Sequence, residues 1–272
     1  MSSRSVKAKL VASPYIVWSA IFIIAPLIFV AYYAFTDANG AFTFENVFEL
    51  SKYTTTFLRS IWFGIVATLI CLIIAFPLAY FMSQKSENVQ RTLVLLVMLP
   101  MWMSFLIRTY SWMVLLQDTG IINSFLAKLG IDPVHMIDTE GAVILGMVYN
   151  FLPFMITPIY SVMAKLDRSM IEACQDLGGN RITCVRRCII PMSMPGVVSG
   201  ITMVFVPSVS TFYISQKLGG GSFDLIGDVI ERQFQQSYNY NLGAAISFVL
   251  MILILICMAV MNRFTGDEEM AI

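Results

Sequence analysis

Residues 165–195 read KLDRSMIEACQDLGGNRITCVRRCIIPMSMP, a polar, charged island flanked on both sides by strongly apolar sequence. Ser169-Met170-Ile171-Glu172 matches the capping box, in which a serine caps a helix start and a glutamate three residues on reaches back to its N–H. The pattern predicts a helix from near Ser169, with Ile171, Cys174 and Leu177 as its apolar stripe. Gly178-Gly179 is expected to end it where a left-handed residue is needed. Asn180 can cap a second helix, with Ile182, Val185 and Ile189 apolar and Arg181, Arg186 and Arg187 on its polar side. Pro191 and Pro195 are expected to stop that helix and start the next apolar run. A plain connection would not need this much ordered structure. A docking element would, since an apolar stripe with flanking charges can lie in a groove on a partner.

The surrounding sequence has the composition of a membrane protein: 58% of the 272 residues are hydrophobic and only 12% charged, where soluble domains are about one quarter charged. The 17 basic and 17 acidic residues cancel, which argues against nucleic-acid binding. A helix rising 1.5 Å per residue needs roughly twenty apolar residues to cross a hydrocarbon core about 30 Å thick. Stretches at about 14–36, 58–83, 92–117, 141–164, 196–216 and 242–262 qualify. The expected fold class is an all-α polytopic membrane protein with six transmembrane helices, a single domain over residues 1–272. Arg4, Lys7 and Lys9 precede the first stretch, but its length and the lack of a small-x-small cleavage site make it a retained span.

Loop charge sets the expected orientation. With the N-terminus in the cytoplasm, Arg4, Lys7, Lys9, Lys85, Arg91, Lys165, Arg168, Arg181, Arg186, Arg187 and Arg263 fall inside, against Lys52, Arg59, Lys128, Lys217 and Arg232 outside. The C-terminus and the 165–195 island are then cytoplasmic too. The outer loops are acidic, a field that would favour an arriving cation, although the positive-inside bias alone leaves acids there. Within them, residues 120–130 and 224–236 each place apolar residues on one helical face and are expected to form short helices at the outer interface. Pro26, Pro77, Pro100, Pro153, Pro158 and Pro207 fall inside apolar runs and are expected to bend them.

Arg108 is the one basic residue inside a span. Sixteen residues beyond Thr92, it would lie about 24 Å along a straight helix, near the outer interface, where it can snorkel beside Tyr110 and Trp112. Cys71 and Cys257 sit in apolar runs; Cys174, Cys184 and Cys188 lie in the island. They lack the paired spacing of a zinc site, and the only histidine, His135, belongs to a loop on the other side of the membrane, so they are read as small, half-buried helix residues and no metal is expected.

Glu172-Ala173-Cys174, then Gly178, then Ile190-Pro191 resembles the EAA motif of the permease subunits of bacterial ABC importers. The chain departs from that pattern at Cys174 for an alanine, Cys188 for an isoleucine and Ile190 for a leucine. The resemblance narrows through Leu99-Pro100-Met101-Trp102, Leu106-Ile107-Arg108-Thr109-Tyr110, Leu152-Pro153-Phe154-Met155, Pro158-Ile159-Tyr160-Ser161 and Phe212-Tyr213-Ile214-Ser215 to the spermidine/putrescine permeases. It implies a type I importer permease in a bacterial inner membrane that performs no chemistry itself. Its partners would be an ATPase dimer carrying the ATP and Mg, a second homologous permease and an extracytoplasmic polyamine-binding protein. Carried over residue by residue, Ser169, Glu172, Ala173, Asp176, Leu177, Gly178, Arg181 and Pro191 would couple to the ATPase, with Glu172 both capping its helix and touching the partner.

Aromatic rings attract ammonium groups, so Trp102, Tyr110, Tyr149, Tyr160 and Tyr213, with Arg108, are the expected pathway residues. The alternatives are an importer permease for another small cationic or organic solute and an ion-coupled secondary transporter. The second is disfavoured because no acid lies inside a span and no internal repeat is visible. A membrane-embedded hydrolase would need a histidine pair or a placed nucleophile, and the sequence offers neither.

Overall fold

The computed structural model describes residues 14–37, 39–176 and 178–269. The helices are α1 (Pro14–Ala34), a short helix, Glu45–Glu49, that leads through a 3₁₀ turn into α2 (Thr54–Ser83), then α3 (Glu87–Met98), α4 (Phe105–Leu116), α5 (Ile121–Lys128) and α6 (Glu140–Met163). They continue with α7 (Arg168–Asp176), α8 (Arg181–Cys184), α9 (Ile190–Ser210), α10 (Tyr213–Leu218), α11 (Ile226–Gln235) and α12 (Tyr240–Glu269). Among the described residues, five helical stretches are long and apolar enough to cross a membrane, or six if one bent pair counts as a span. The two short helices expected at 120–130 and 224–236 form within those ranges, as α5 and α11.

That bent pair bears out the bend expected at Pro100, and it takes the form of a full break within the third span. Glu87–Trp102 and Phe105–Lys128 meet at 85°, so 92–117 is not a straight rod. Leu99–Trp102 tightens to a 3₁₀ turn containing Pro100, and Met103 is extended (φ −80°, ψ 147°). Unbroken hydropathy across this point conceals the break. The fifth span is corrected: Pro191 and Pro195 do not stop the second island helix, because helix continues from 181 through 210. A π turn, Val185–Ile189, intervenes, with the Ile190 N–H donating to the Val185 carbonyl. It widens the helix where the Pro191 ring would otherwise press on the carbonyl four residues back. Pro77, Pro153, Pro158, Pro195 and Pro207 likewise sit inside continuous helices.

Contacts divide the chain into two compact units, residues 1–54 with 229–254 and residues 55–228 with 255–272. In the first, the Phe35 ring packs on Phe42, Phe44 and Phe248. The Asn46 and Asn241 side chains both donate to the Thr36 carbonyl, at 2.9 and 2.6 Å. In the second, Phe63, Ala67, Cys71, Ala75, Ala79 and Met82 run down one face of α2 into a core shared with Val143, Met147, Ile156 and Ile159 of α6. Lipid removes the hydrophobic drive between helices, so close packing of small residues must supply it. Gly196 and Gly200 of α9 do this: a Cβ on Gly196 would stand 2.8 Å from the Pro158 carbonyl oxygen, and one on Gly200 2.7 Å from the Met155 sulfur.

Candidate functional site

The 165–195 island lies in the second unit and is built by local hydrogen bonds. Helix α7 begins at Arg168, and its cap is Asp167, whose Oδ1 accepts from the Ser169 N–H at 3.0 Å. That bond, seconded by the Ser169 side chain, holds the Asp167 carboxyl below its ordinary value. The expected cap is therefore misplaced by two residues: Ser169 lies inside the helix, and its N–H is already taken. Glu172 has no capping role and, among the described residues, makes no hydrogen bond or ion pair; its side chain is exposed.

At the other end of α7 the Gly178 N–H donates to the Gln175 carbonyl at 2.8 Å and the Gly179 N–H to the Cys174 carbonyl at 3.0 Å. These are the paired bonds of a Schellman motif, with Gly178 left-handed at φ +81°. Asn180 caps the next helix as expected, its Oδ1 accepting from the Thr183 N–H at 2.8 Å and from the Thr183 hydroxyl. Ser169, Ala173, Asp176, Gly178 and Pro191 are exposed alongside Glu172. Met170 and Ile182 add exposed apolar surface, 47% and 76%, whereas Ile189 turns inward. Leu177 lies outside the described residues, as do the side chains of Ile171 and Arg181.

Cys174, Cys184 and Cys188 converge in this element. The Cys174 thiol is held above the usual thiol range, first by its hydrogen bond with Cys184 and then by burial, while Cys188 and Arg187 act in the opposite sense.

The six pathway residues are not brought together. Tyr160 donates its hydroxyl to Gln90 Oε1 at 2.9 Å, and Gln90 Nε2 donates to the carbonyls of Ser83 (3.1 Å) and Lys85 (2.8 Å). Tyr160 and Gln90 line a largely polar cavity of about 540 Å³ with Lys85, Arg91, Leu166 and Ile189. Tyr160 thus belongs to the island end of α6. Tyr149 lies eleven residues, about 16 Å, away along that helix. It meets Trp112 edge-on at 5.3 Å, while Tyr213 packs on Phe105 at 6.1 Å. Trp102 and Tyr110 lie on open faces, 77% and 53% exposed.

Arg108 does not snorkel. It is 7% exposed, its Nε and Nη1 are buried without hydrogen-bond partners among the described residues, and it shares a face of α4 with Phe105 and Trp112. The depth count from Thr92 assumed a straight helix, which the 85° bend removes. Sequence reasoning missed Asp167 as the cap, although aspartate is among the best capping residues. It missed Gln90 altogether, since nothing local distinguishes that glutamine from a solvated one.

Residues 75–266 match the family of inner membrane components of binding-protein-dependent transport systems. The chain is 36% identical over 256 residues to the spermidine/putrescine transport system permease protein PotB of Haemophilus influenzae, covering 90% of each. It is 36% identical over 245 residues to the Escherichia coli K12 protein of that name, covering 86% of this chain and 89% of the relative. Among solved structures, a bacterial ABC transporter that imports alginate superposes with a TM-score of 0.77 at 18% identity, covering 97% of this chain and 98% of that one. The fold is accordingly that of the ABC importer permeases, and the apolar helices make this a multi-pass membrane protein. This chain belongs to the family of inner membrane components of binding-protein-dependent transport systems.

Proposed function

We propose that the chain is a permease subunit of an ATP-driven importer that carries polyamines, spermidine or putrescine, into the bacterial cytoplasm. The observation that carries the substrate class is the 36% identity to spermidine/putrescine permeases along 90% of both chains. The chain contributes no catalytic group. ATP and Mg are bound by a partner ATPase dimer, and a second, homologous permease and an extracytoplasmic polyamine-binding protein complete the assembly. Both termini and residues 165–195 face the cytoplasm, in keeping with the positive-inside bias.

Residues 165–195 are the element that docks on the ATPase. Glu172, exposed and without a partner among the described residues, on a helix whose ends are capped by other residues, supports this, as do exposed Met170 and Ile182. Tyr149, Tyr213 and Tyr110, with Trp102 and Arg108, remain the proposed pathway residues, while the hydrogen-bonded Tyr160 is better suited to bracing the 83–90 turn.

Uptake of labelled spermidine and putrescine into proteoliposomes holding the assembled complex, driven by enclosed ATP, tests the reading. Uptake is expected only with ATP and the binding protein. Stimulation by an unrelated solute and not by polyamines overturns the substrate assignment, and ion-gradient-driven uptake without the ATPase overturns the class. Glu172→Ala should reduce ATPase retention without changing thermal unfolding; full retention overturns the docking role.

A further inference from the structure

The family pattern that the island resembles has alanine and isoleucine where this chain has Cys174 and Cys188. Both thiols are half-buried, and both line one cavity of about 430 Å³ with Ala173, Gly179 and Arg187. A Cβ built on Gly179 would lie 3.0 Å from the Cys174 sulfur, so the turn holds that sulfur against the start of the next helix. The π turn Val185–Ile189, which carries Cys188, packs directly against α7, which carries Cys174. Cys184 is closed off at 2% exposure, its sulfur 3.8 Å from the Gly179 carbonyl oxygen.

We propose that Cys174 and Cys188 form a thiol–disulfide exchange site whose oxidation staples α7 to the helix that follows it. Cys174 reacts through its thiolate, a minor species because the thiol is held above the usual range: it attacks one sulfur of a low-molecular-weight disulfide, forming a mixed disulfide and releasing a thiolate that takes up the proton Cys174 gave. Cys188 then attacks the Cys174 sulfur, forming the Cys174–Cys188 bond and releasing the second small thiolate, which takes the Cys188 proton. Two protein thiols are oxidised, and one small disulfide is reduced to two thiols. The geometry makes the staple effective because the linked residues lie on opposite sides of the glycine turn, so the bond restricts the angle between the helices. Oxidation therefore slows ATP-driven uptake, a consequence that rests on the docking role proposed above.

The complex with its ATPase, in lipid nanodiscs, is incubated with oxidised glutathione and mapped by non-reducing peptide mass spectrometry. A Cys174–Cys188 peptide is expected, reversed by dithiothreitol, absent from Cys188→Ser and retained in Cys257→Ser. In proteoliposomes, the ratio of oxidised to reduced uptake should fall several-fold for the native chain and stay near unity for Cys188→Ser. A stable glutathione adduct, a Cys174–Cys184 link or no link overturns the site. A quantitative Cys174–Cys188 link with unchanged uptake overturns the regulatory role. Full ATPase retention by Glu172→Ala sinks the docking reading instead and leaves the peptide map standing, so the failures are distinguishable.

Discussion

Gly178 offers the sharpest test of the island's architecture. Its φ of +81° lies in the left-handed region, and a Cβ placed on it would have nothing within 4 Å. Substitution therefore costs only backbone conformational energy, about 1–2 kcal/mol for an ordinary L residue and toward the upper end for a β-branched one. At about 1.4 kcal/mol per tenfold, Gly178→Val at ~2 kcal/mol lowers the equilibrium constant for the correctly turned element roughly 30-fold. Gly178→Ala should be milder, and Gly178→Asn milder still, because asparagine tolerates this region. The two turn hydrogen bonds, Gly178 to Gln175 and Gly179 to Cys174, would be lost together, and Asn180 would no longer be aimed to cap α8. ATPase retained on an affinity-tagged permease, followed by ATP-driven uptake, should rank glycine, asparagine, alanine, valine. Native-like retention by Gly178→Val, or asparagine as damaging as valine, refutes the reasoning.

Three further outcomes follow from the same geometry. Gly196→Ala should destabilise the detergent-solubilised permease by about 1–3 kcal/mol and more than Gly200→Ala, because its new methyl meets the Pro158 carbonyl and the Ile159 Cα, whereas the nearest atom at Gly200 is a pliable Met155 sulfur; thermal unfolding reads the order. Asp167→Ala should speed amide exchange in the first turn of α7 and Asp167→Asn should not; because the native carboxyl is held below its ordinary value of 3.8, its contribution is full above that pH and is lost as pH falls through the lowered value. Tyr160→Phe removes one hydrogen bond, worth about 1 kcal/mol, and should raise exchange in residues 83–90 without altering the exchange of α7.

The parts of this fold that follow from one residue's local chemistry were readable in the sequence. Gly178 and Asn180 declare a turn and a cap because few residues can do either, and the apolar runs declare spans because the bilayer fixes their length. The cap of α7 was misplaced since Asp167 and Ser169 are both good capping residues two positions apart, and only the backbone geometry chooses. Passage of helix through Pro191 depends on a π turn that leaves no mark in composition. The kink after Trp102 had a local signal in Pro100 and Ser104, but hydropathy runs evenly across it. Arg108 was misjudged for that reason, and the aromatic residues could not be sorted because hydropathy does not tell an inward ring from an outward one.

The island's construction bears on how docking force could travel. Its turn and both helix starts are satisfied from within, by Asp167, the Gly178-Gly179 turn and Asn180, so its shape does not depend on a partner. A partner then needs to spend little on ordering it, which is the advantage of preorganised binding surfaces. From Arg181 the chain remains helical to Ser210, a rod of about 45 Å at 1.5 Å per residue. Two turns beyond the π segment that rod is locked to α6 where Gly196 and Gly200 meet Pro158, Ile159 and Met155 backbone to backbone. On the docking role proposed here, a shift imposed at α8 cannot be absorbed by a loop, because there is none; it must either deform the π turn or move α9 and α6 as a pair. Pro191, just beyond the π turn, lacks the N–H that would stiffen it, which makes 185–191 the compliant joint and the Gly196–Gly200 seam the part that moves as one body.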